Sequence, residues 1–204
     1  MFLEHSNITI FGVIGSGKSH LCRRLQNYFP NVFIFDTLFE YSENDGIILK
    51  SFEEFSSYVL RTQNYQCGIR AIIRFSVDKD NGDEVNEYLR ILYHRGNCTV
   101  VLEEVQNFGT VHKIPHFLKQ ISLTGRHKKI NFITTTQRIA EIHKSILSQS
   151  HNIFAGYCDN PLDLRTLKEY GFRTELLETI EKRQFIWKRS REFYRITNDL
   201  EFIS

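Results

Sequence analysis

The sequence predicts an α/β fold in which a mainly parallel sheet is covered by helices on both faces. Two observations carry this expectation. Short apolar runs rich in Val, Ile and Phe recur along the chain, and stretches with helically spaced apolar residues separate them. Strands alternating with helices in this way are joined by crossovers, which builds parallel pairing. The chain has 204 residues. That is enough for one domain, 1–204, burying roughly 70% of its unfolded surface.

The elements follow in order. Ile8–Phe11 is an apolar strand, and the glycine-rich stretch 12–19 leads into a helix with Leu21, Leu25 and Phe29 on one side, stopped by Pro30. Asn31–Asp36 is a buried strand and Ile47–Leu49 a short apolar piece. Ser51 is placed to cap a helix bearing Phe52, Phe55, Val59 and Leu60, with Glu53 and Glu54 in its first turn, where carboxylates suit the dipole. Ile69–Phe75 is a strand, the run from Asp78 a polar turn, and Val85, Leu89 and Leu92 mark a helix ending near Gly96. Thr99–Leu102 and Asn131–Thr135 are strands on either side of a helix from about Ile114 to Leu123. Ile139, Ile142, Ile146 and Leu147 imply one further helix, His151–Ala155 a strand, and Pro161–Tyr170 another helix. Gln184–Trp187 and Phe193–Ile196 suggest a terminal hairpin, so that 8–180 is the core and 181–204 a hairpin and tail.

Composition bounds the function classes. The chain is 41% hydrophobic and 25% charged, with 17 Phe and 9 Tyr, which fits a packed globular protein and not a disordered one. A net charge of +2 points to no partner by itself. Cys22, Cys67, Cys98 and Cys158 are scattered without a C-x-x-C pair, and the eight histidines have no ligand spacing. Neither a zinc site nor a disulfide framework is indicated, and reduced thiols in an intracellular protein are the simpler reading. No run approaches the roughly 18 apolar residues of a membrane span. The N-terminus has no signal-peptide pattern, so the chain is expected to be soluble.

Residues 12–19, Gly-Val-Ile-Gly-Ser-Gly-Lys-Ser, match the phosphate-loop pattern G-x-x-x-x-G-K-[ST] in full. Glycines let backbone N–H groups wrap a phosphate, and the helix start adds its positive dipole end. Gly12, Gly15, Ser16, Gly17, Lys18, Ser19 and His20 are therefore the expected nucleotide-binding residues. Lys18 would reach the β- and γ-phosphates, and Ser19 would place its hydroxyl on Mg²⁺. Strand 99–102 ends in Glu103-Glu104. In phosphate-loop ATPases the first such acid supports Mg²⁺ and the second orients or deprotonates the attacking water. ATP and Mg²⁺ are the expected cofactors.

Residues 105–140 carry Lys113, Lys119, Arg126, Lys128, Lys129 and Arg138, three histidines and no acid. Within them, Thr124-Gly-Arg126 precedes a strand ending in Thr136-Gln137-Arg138. This arrangement resembles the FtsK/HerA superfamily of DNA-pumping ATPases, and NVFIFDTLFEY resembles the Asp-x-x-x-Glu-Tyr segment of HerA-type members. The resemblance spans most of residues 8–170. It implies a RecA-like phosphate-loop NTPase fold, a three-layer sandwich around a mainly parallel sheet. It also implies that Gln137 is a sensor of the γ-phosphate, and that Arg126 is an arginine finger offered to a neighbouring copy. Arg165, in Asp163-Leu-Arg-Thr, is a second candidate finger. The chain departs from the family pattern at Glu103, where Asp is commoner, and at Ile139, where Pro usually follows. Its length leaves out the N-terminal barrel of HerA and the membrane and DNA-reading domains of FtsK. In that respect it is similar to genome-packaging ATPases of icosahedral viruses with internal membranes, including those infecting archaea.

The resemblance thus implies a ring homo-oligomer acting on double-stranded DNA, with a capsid or membrane protein at a packaging vertex as a further partner. Host cytoplasm or virion is the implied location. Two other classes compete. A small phosphate-loop kinase has a similar length, but it excludes water and uses an Arg-rich lid that is not evident here. A non-catalytic, nucleotide-gated assembly protein is disfavoured only by an intact Glu104. The Arg126 loop, Asp36 and Glu40 read equally as solvated surface. The basic and aromatic stretch 182–195 suits nucleic-acid phosphates with base stacking, or a hairpin with Phe185 and Trp187 against the core.

Overall fold

A computed structural model describes residues 6–65, 68–74 and 82–203. The strands are β1 (Asn7–Phe11), β2 (Asn31–Asp36), β3 (Ile47–Leu49), β4 (Ile69–Arg74), β5 (Cys98–Leu102), β6 (Ile130–Thr136), β7 (Ser150–Ala155), β8 (Gln184–Arg189) and β9 (Glu192–Thr197). The helices are α1 (Lys18–Gln26), α2 (Phe52–Arg61), α3 (Gly82–Arg95), α4 (His116–Thr124), α5 (Lys144–Ser148), α6 (Pro161–Glu169) and α7 (Thr174–Glu178). The strands form one sheet in the order β3-β4-β2-β5-β6-β1-β7-β8-β9. Every pairing from β3 across to β7 is parallel, and β8 and β9 extend the sheet antiparallel.

Alternation along the strands sorts the core into two layers. Ile8, Ile10, Val32, Ile34, Ile72 and Val101 point to one face and pack on Leu21, Cys22 and Leu25 of α1. Phe33, Phe35, Val100 and Leu102 point to the other, against Phe55 of α2, Leu89 and Leu92 of α3, and Leu118 and Ile121 of α4. Phe55 lies at the centre of this second layer, with its ring edge-on to Phe33 at 6.4 Å and tilted against Tyr88 at 4.9 Å. The α/β architecture with a mainly parallel sheet and a terminal hairpin is the one expected.

Several boundaries differ from expectation, each for a local reason. The apolar residues 139–147 do not make one helix. Ile142 and His143 are extended (ψ 139° and 135°), and His143 caps a short α5 by accepting from Ser145 N at 3.1 Å. Helix α1 ends at Gln26 and not near Phe29; residues 27–29 form a turn in which Phe29 N donates to Gln26 O. Helix α4 starts at His116 because Ile114 precedes Pro115, and a residue before proline is pushed out of helical geometry. Leu60, expected on the apolar stripe of α2, is 71% exposed. The Ser51 cap is present, accepting from Glu54 N at 3.2 Å. Helix α7 and the 3₁₀ turn Val105–Phe108 were not anticipated. Residues 78–81 of the polar turn, Phe75 and Cys67 lie outside the described residues, whereas Gly82 and Asp83, expected at the end of that turn, already open α3. Cys22, Cys98 and Cys158 are buried free thiols.

The topology fixes where chemistry can occur. The chain leaves β1 for β2 on one side, while β7 is added on the other. In an open parallel sheet the crevice beyond the C-terminal ends of the strands at such a reversal is where ligands bind. Among the described residues, no helix is long and apolar enough to cross a membrane.

Candidate functional site

The glycine-rich loop occupies this crevice. It leaves β1 through Gly12, whose N–H donates to Thr136 O at 3.2 Å, and turns with Ser16 N donating to Val13 O. A Cβ on Gly12 would stand 2.5 Å from Ser16 Oγ, so this close approach requires glycine. Gly15 and Gly17 have φ of 76° and 93°, the left-handed region. Helix α1 has no side-chain N-cap bond and no acid in its first turn. Its leading N–H groups are thus left for an anion. Ser16 Oγ is buried without a hydrogen-bond partner, a polar atom placed where a ligand would satisfy it.

Two carboxylates emerge at the end of β5, and because β6 lies between β5 and β1 they face the loop across one strand. Glu104 adopts a left-handed conformation (φ 52°, ψ 60°) with its N–H donating to Thr135 Oγ1 at 3.0 Å. The turn lets consecutive acids leave the strand in different directions. Glu104 Oε1 is 3.4 Å from Lys18 Nζ and accepts from Gln137 Nε2 at 3.0 Å. Its other oxygen accepts from Gln106 Nε2 at 2.7 Å. Lys18 and Gln137 therefore meet on one oxygen of Glu104, although 119 positions separate them in the sequence.

Glu103 turns toward α1. Its carboxylate accepts the Tyr41 hydroxyl, which in turn accepts from Gln26 Nε2 at 2.9 Å. Burial raises the Glu103 pKa, as do the nearby Glu40 and Asp36 carboxylates, while the Tyr41 hydrogen bond and Arg23 lower it; the result is about 7. Tyr41 is delivered by the segment after β2. Asp36 is buried and accepts from Glu40 N at 3.0 Å and Tyr41 N at 3.2 Å, which folds that segment back. Arg23 lies over the Tyr41 ring at 4.4 Å. Asp36 is thus not solvated surface, whereas Glu40 is exposed.

These residues also bear on an Mg²⁺ site. Among the described residues no group of three or more His, Cys, Asp or Glu could hold a metal. Mg²⁺ keeps waters and substrate phosphates among its ligands and takes only one or two groups from the protein. Ser19, Cys22 and Gln26 share one face of α1; the Glu103 charge acts on the Cys22 thiol, and Glu103 and Gln26 have Tyr41 as a common partner. The Ser19 hydroxyl and the buried Glu103 carboxylate are the kind of oxygen donor that a hard divalent cation takes.

The remaining expected residues lie further out. His20 Nε2 is 2.9 Å from Asp199 Oδ1, and both side chains are exposed. Arg126 is exposed in the 3₁₀ turn Gly125–Lys128, just before β6. Seven strand residues at about 3.3 Å each separate it from the Gln137 end, roughly 20 Å, so it cannot touch the phosphate loop of its own chain. Arg165 is on α6, 3.4 Å from Glu169, with a side chain 78% exposed. Arg138, next to Gln137, donates to buried Asp163 at 3.0 Å, and Asp163 also accepts from Ala140 N. Trp187 stacks on Phe154 at 5.4 Å and Phe185 is fully buried, so these two aromatics of the hairpin serve the core.

Sequence reasoning missed three contributors. Gln106 and Tyr41 hold the two carboxylates; no periodicity or motif marks Gln106, and Tyr41 closes the Asp-x-x-x-Glu-Tyr segment without any role following from that pattern. The C-terminal segment also closes on the loop. A Cβ on Gly17 would meet Asn198 Nδ2 at 3.0 Å and Arg183 Cγ at 3.5 Å. A cavity of about 360 Å³ runs from Val13, Ile14 and Ser16 to Tyr157 and residues 180–184.

No protein-family model matches the sequence, and no curated protein does. Solved structures do. The genome packaging NTPase B204 from Sulfolobus turreted icosahedral virus 2, in complex with AMPPCP, superposes with a TM-score of 0.76 at 18% identity, over 94% of this chain and 96% of that one. EssC (ATPases 2 and 3) from Geobacillus thermodenitrificans gives 0.59 at 15% identity, over 97% of this chain and 40% of that one. The N-terminal domain of zonular occludens toxin from Neisseria meningitidis gives 0.52 at 12% identity, over 98% and 94%. The chain therefore shares the phosphate-loop NTPase fold, as its motifs led one to expect.

Proposed function

We propose that this chain, which has the phosphate-loop NTPase fold, is a Mg²⁺-dependent ATPase that moves double-stranded DNA in viral genome packaging, working as a ring of identical copies. The observation that carries the hydrolytic part is the convergence of Lys18, Glu104 and Gln137 at the mouth of the glycine loop. The loop amides and Lys18 bind the phosphates. Glu104 accepts a proton from, or orients, the attacking water, and Gln137 holds Glu104 and reports the γ-phosphate through that contact. Ser19 and Glu103 would hold Mg²⁺, which when bound neutralises charge developing on the β- and γ-phosphate oxygens. The nucleoside takes the cavity between Ile14, Tyr157 and the 180–184 segment.

The ring is supported by the position of Arg126. An arginine finger is worth about 10³–10⁵ in rate, and an Arg at the opposite end of the strands from the phosphate loop reaches a nucleotide only on a neighbouring copy. Arg165 is the second candidate for that role. Packaging comes from the likeness to the viral genome packaging NTPase, 96% of whose chain is covered, and DNA from the resemblance of the Thr136-Gln137-Arg138 region to DNA-pumping ATPases. Basic loops would contact DNA phosphates without reading sequence. A capsid or membrane protein at the packaging vertex completes the proposed set of partners. A kinase reading fits less well, because a carboxylate pinned beside Lys18 promotes attack by water.

The deciding experiment measures ATP turnover with no addition, and with duplex DNA, single-stranded DNA, RNA and a nucleoside monophosphate. Turnover stimulated by duplex DNA, falling steeply with salt as phosphate contacts require, is expected. Phosphate transfer to the monophosphate, or no turnover with any addition, would refute the proposal.

A further inference from the structure

We infer that Gln106 is a positioning residue for the catalytic carboxylate, and that Thr136 sets the orientation in which its side chain works. The inference rests on the hydrolytic reading above. Gln106 lies two residues beyond Glu104 in the 3₁₀ turn Val105–Phe108, half-buried beside the end of β6. Its Nε2 donates to Glu104 Oε2 at 2.7 Å, and its Oε1 accepts from Thr136 Oγ1 at 2.9 Å. Each end of the amide thus has one partner. A carboxylate can only accept, so only the NH₂ group can face it, and the Thr136 hydroxyl takes up the opposite oxygen. The same hydroxyl oxygen accepts from Arg138 N at 3.0 Å, which fixes its place at the end of β6. Thr136 O also receives the N–H of Gly12. The clamp on Glu104 is therefore built on the strand that anchors the phosphate loop.

The division of donors gives the clamp a purpose. Lys18 and Gln137 both address Oε1, whereas Gln106 is the side chain on Oε2. Lys18 is also the group that a triphosphate claims. When it turns to phosphate, Glu104 loses its cation and keeps one amide donor on each oxygen. Gln137 and Gln106 then hold the carboxylate plane while water is presented to it. Without Gln106 the plane is free to rotate about the single remaining amide contact. A reacting group displaced by about 1 Å loses on the order of 10²-fold in rate.

The test compares the wild-type chain with Gln106→Ala, Thr136→Val and Thr136→Ser, measuring kcat and KM for ATP and the affinity for a non-hydrolysable triphosphate. Gln106→Ala is expected to lower kcat by about 10–100-fold with analogue affinity within about twofold. Thr136→Val, which keeps the shape but not the hydroxyl, should lower kcat likewise. Thr136→Ser restores the donor and should recover most of the activity. Wild-type turnover in Gln106→Ala, or a fall in analogue affinity that parallels the fall in kcat, overturns the inference. Equal losses in both Thr136 variants overturn it too, and this pair decides the matter if Gln106→Ala fails to fold. An inactive wild type would instead refute the hydrolytic reading, and the inference with it.

Discussion

Tyr41→Phe removes one hydroxyl from a buried network, and its cost should depend on pH. In the folded chain Glu103 has a pKa of about 7, raised from 4.5, with burial the largest cause. A raised carboxyl pKa means that the folded state binds the proton more tightly than the unfolded chain. This contribution to stability is complete below the unfolded value and disappears as pH rises through about 7. The rise corresponds to about 3 kcal/mol of preference for the protonated form. In metal-free buffer the protein should therefore be more stable near pH 5.5 than near pH 8 as far as this group decides. The Tyr41 hydroxyl opposes the rise, because it donates to the charged form. At pH 8 the substitution removes a hydrogen bond to an ionised acceptor, about 1.5–3 kcal/mol, whereas at pH 5.5 it removes one between neutral groups, about 1 kcal/mol. Urea denaturation at both pH values measures the difference. The variant should show a steeper loss of stability with rising pH than the wild type. An equal cost at both values, or a larger cost in acid, would refute the assignment of Tyr41 as the donor that stabilises ionised Glu103.

Other consequences follow from geometry. Phe55→Ala empties the centre of the α2–α3 layer and should cost about 3–5 kcal/mol, read as a shift of the denaturation midpoint; a shift near zero would mean that the layer is not packed as described. Gly17→Ala places a Cβ at φ 93° against Asn198. Strain of roughly 1–3 kcal/mol is expected, together with weaker triphosphate binding by calorimetry; unchanged binding would show that the loop tolerates a side chain there. Arg126→Ala, at an exposed position, should leave the melting temperature within about 1 °C while abolishing turnover and sparing nucleotide binding. Mixing it with Glu104→Ala should restore part of the activity, because some junctions then pair an intact Arg126 with an intact Glu104. No recovery at any mixing ratio would exclude a finger supplied in trans.

The fold was largely legible because its strands announce themselves. NVFIFD and CTVVL are buried on both faces, and a nearly unbroken apolar run is what such a strand must be. The errors cluster where an apolar residue was asked to report a helix alone. Ile139, Ile142, Ile146 and Leu147 are all buried, yet they lie on a 3₁₀ turn, an extended link and a short helix. Burial follows from their chemistry, whereas the conformation follows from His143 capping a new helix behind them. Leu60 is the converse case, at the right spacing but on a side of α2 that nothing covers.

The site divides along a different line. On the proposed function, Lys18, Ser19, Glu104 and Gln137 belong to positions whose residue type is dictated by what a triphosphate demands, so a pattern of types is enough to propose them. Gln106, Thr136 and Tyr41 answer to other side chains, and any group that donates at the right place would serve. Their identity therefore depends on which strands become neighbours. Thr136 meets Gln106 because β6 lies between β5 and β1, and Tyr41 meets Glu103 because β2 lies on the other side of β5. Strand order is a long-range property that no local window contains. On the proposed function, the groups that touch the substrate are marked by their residue types, whereas the role of those that aim them becomes visible only once the sheet is assembled, even where, as at Tyr41 and Thr136, the residue itself sits in a motif. Kinetics that separate binding from turnover should be most sensitive to this second class. Removing such a residue leaves the phosphates held and the carboxylate present, but no longer aligned.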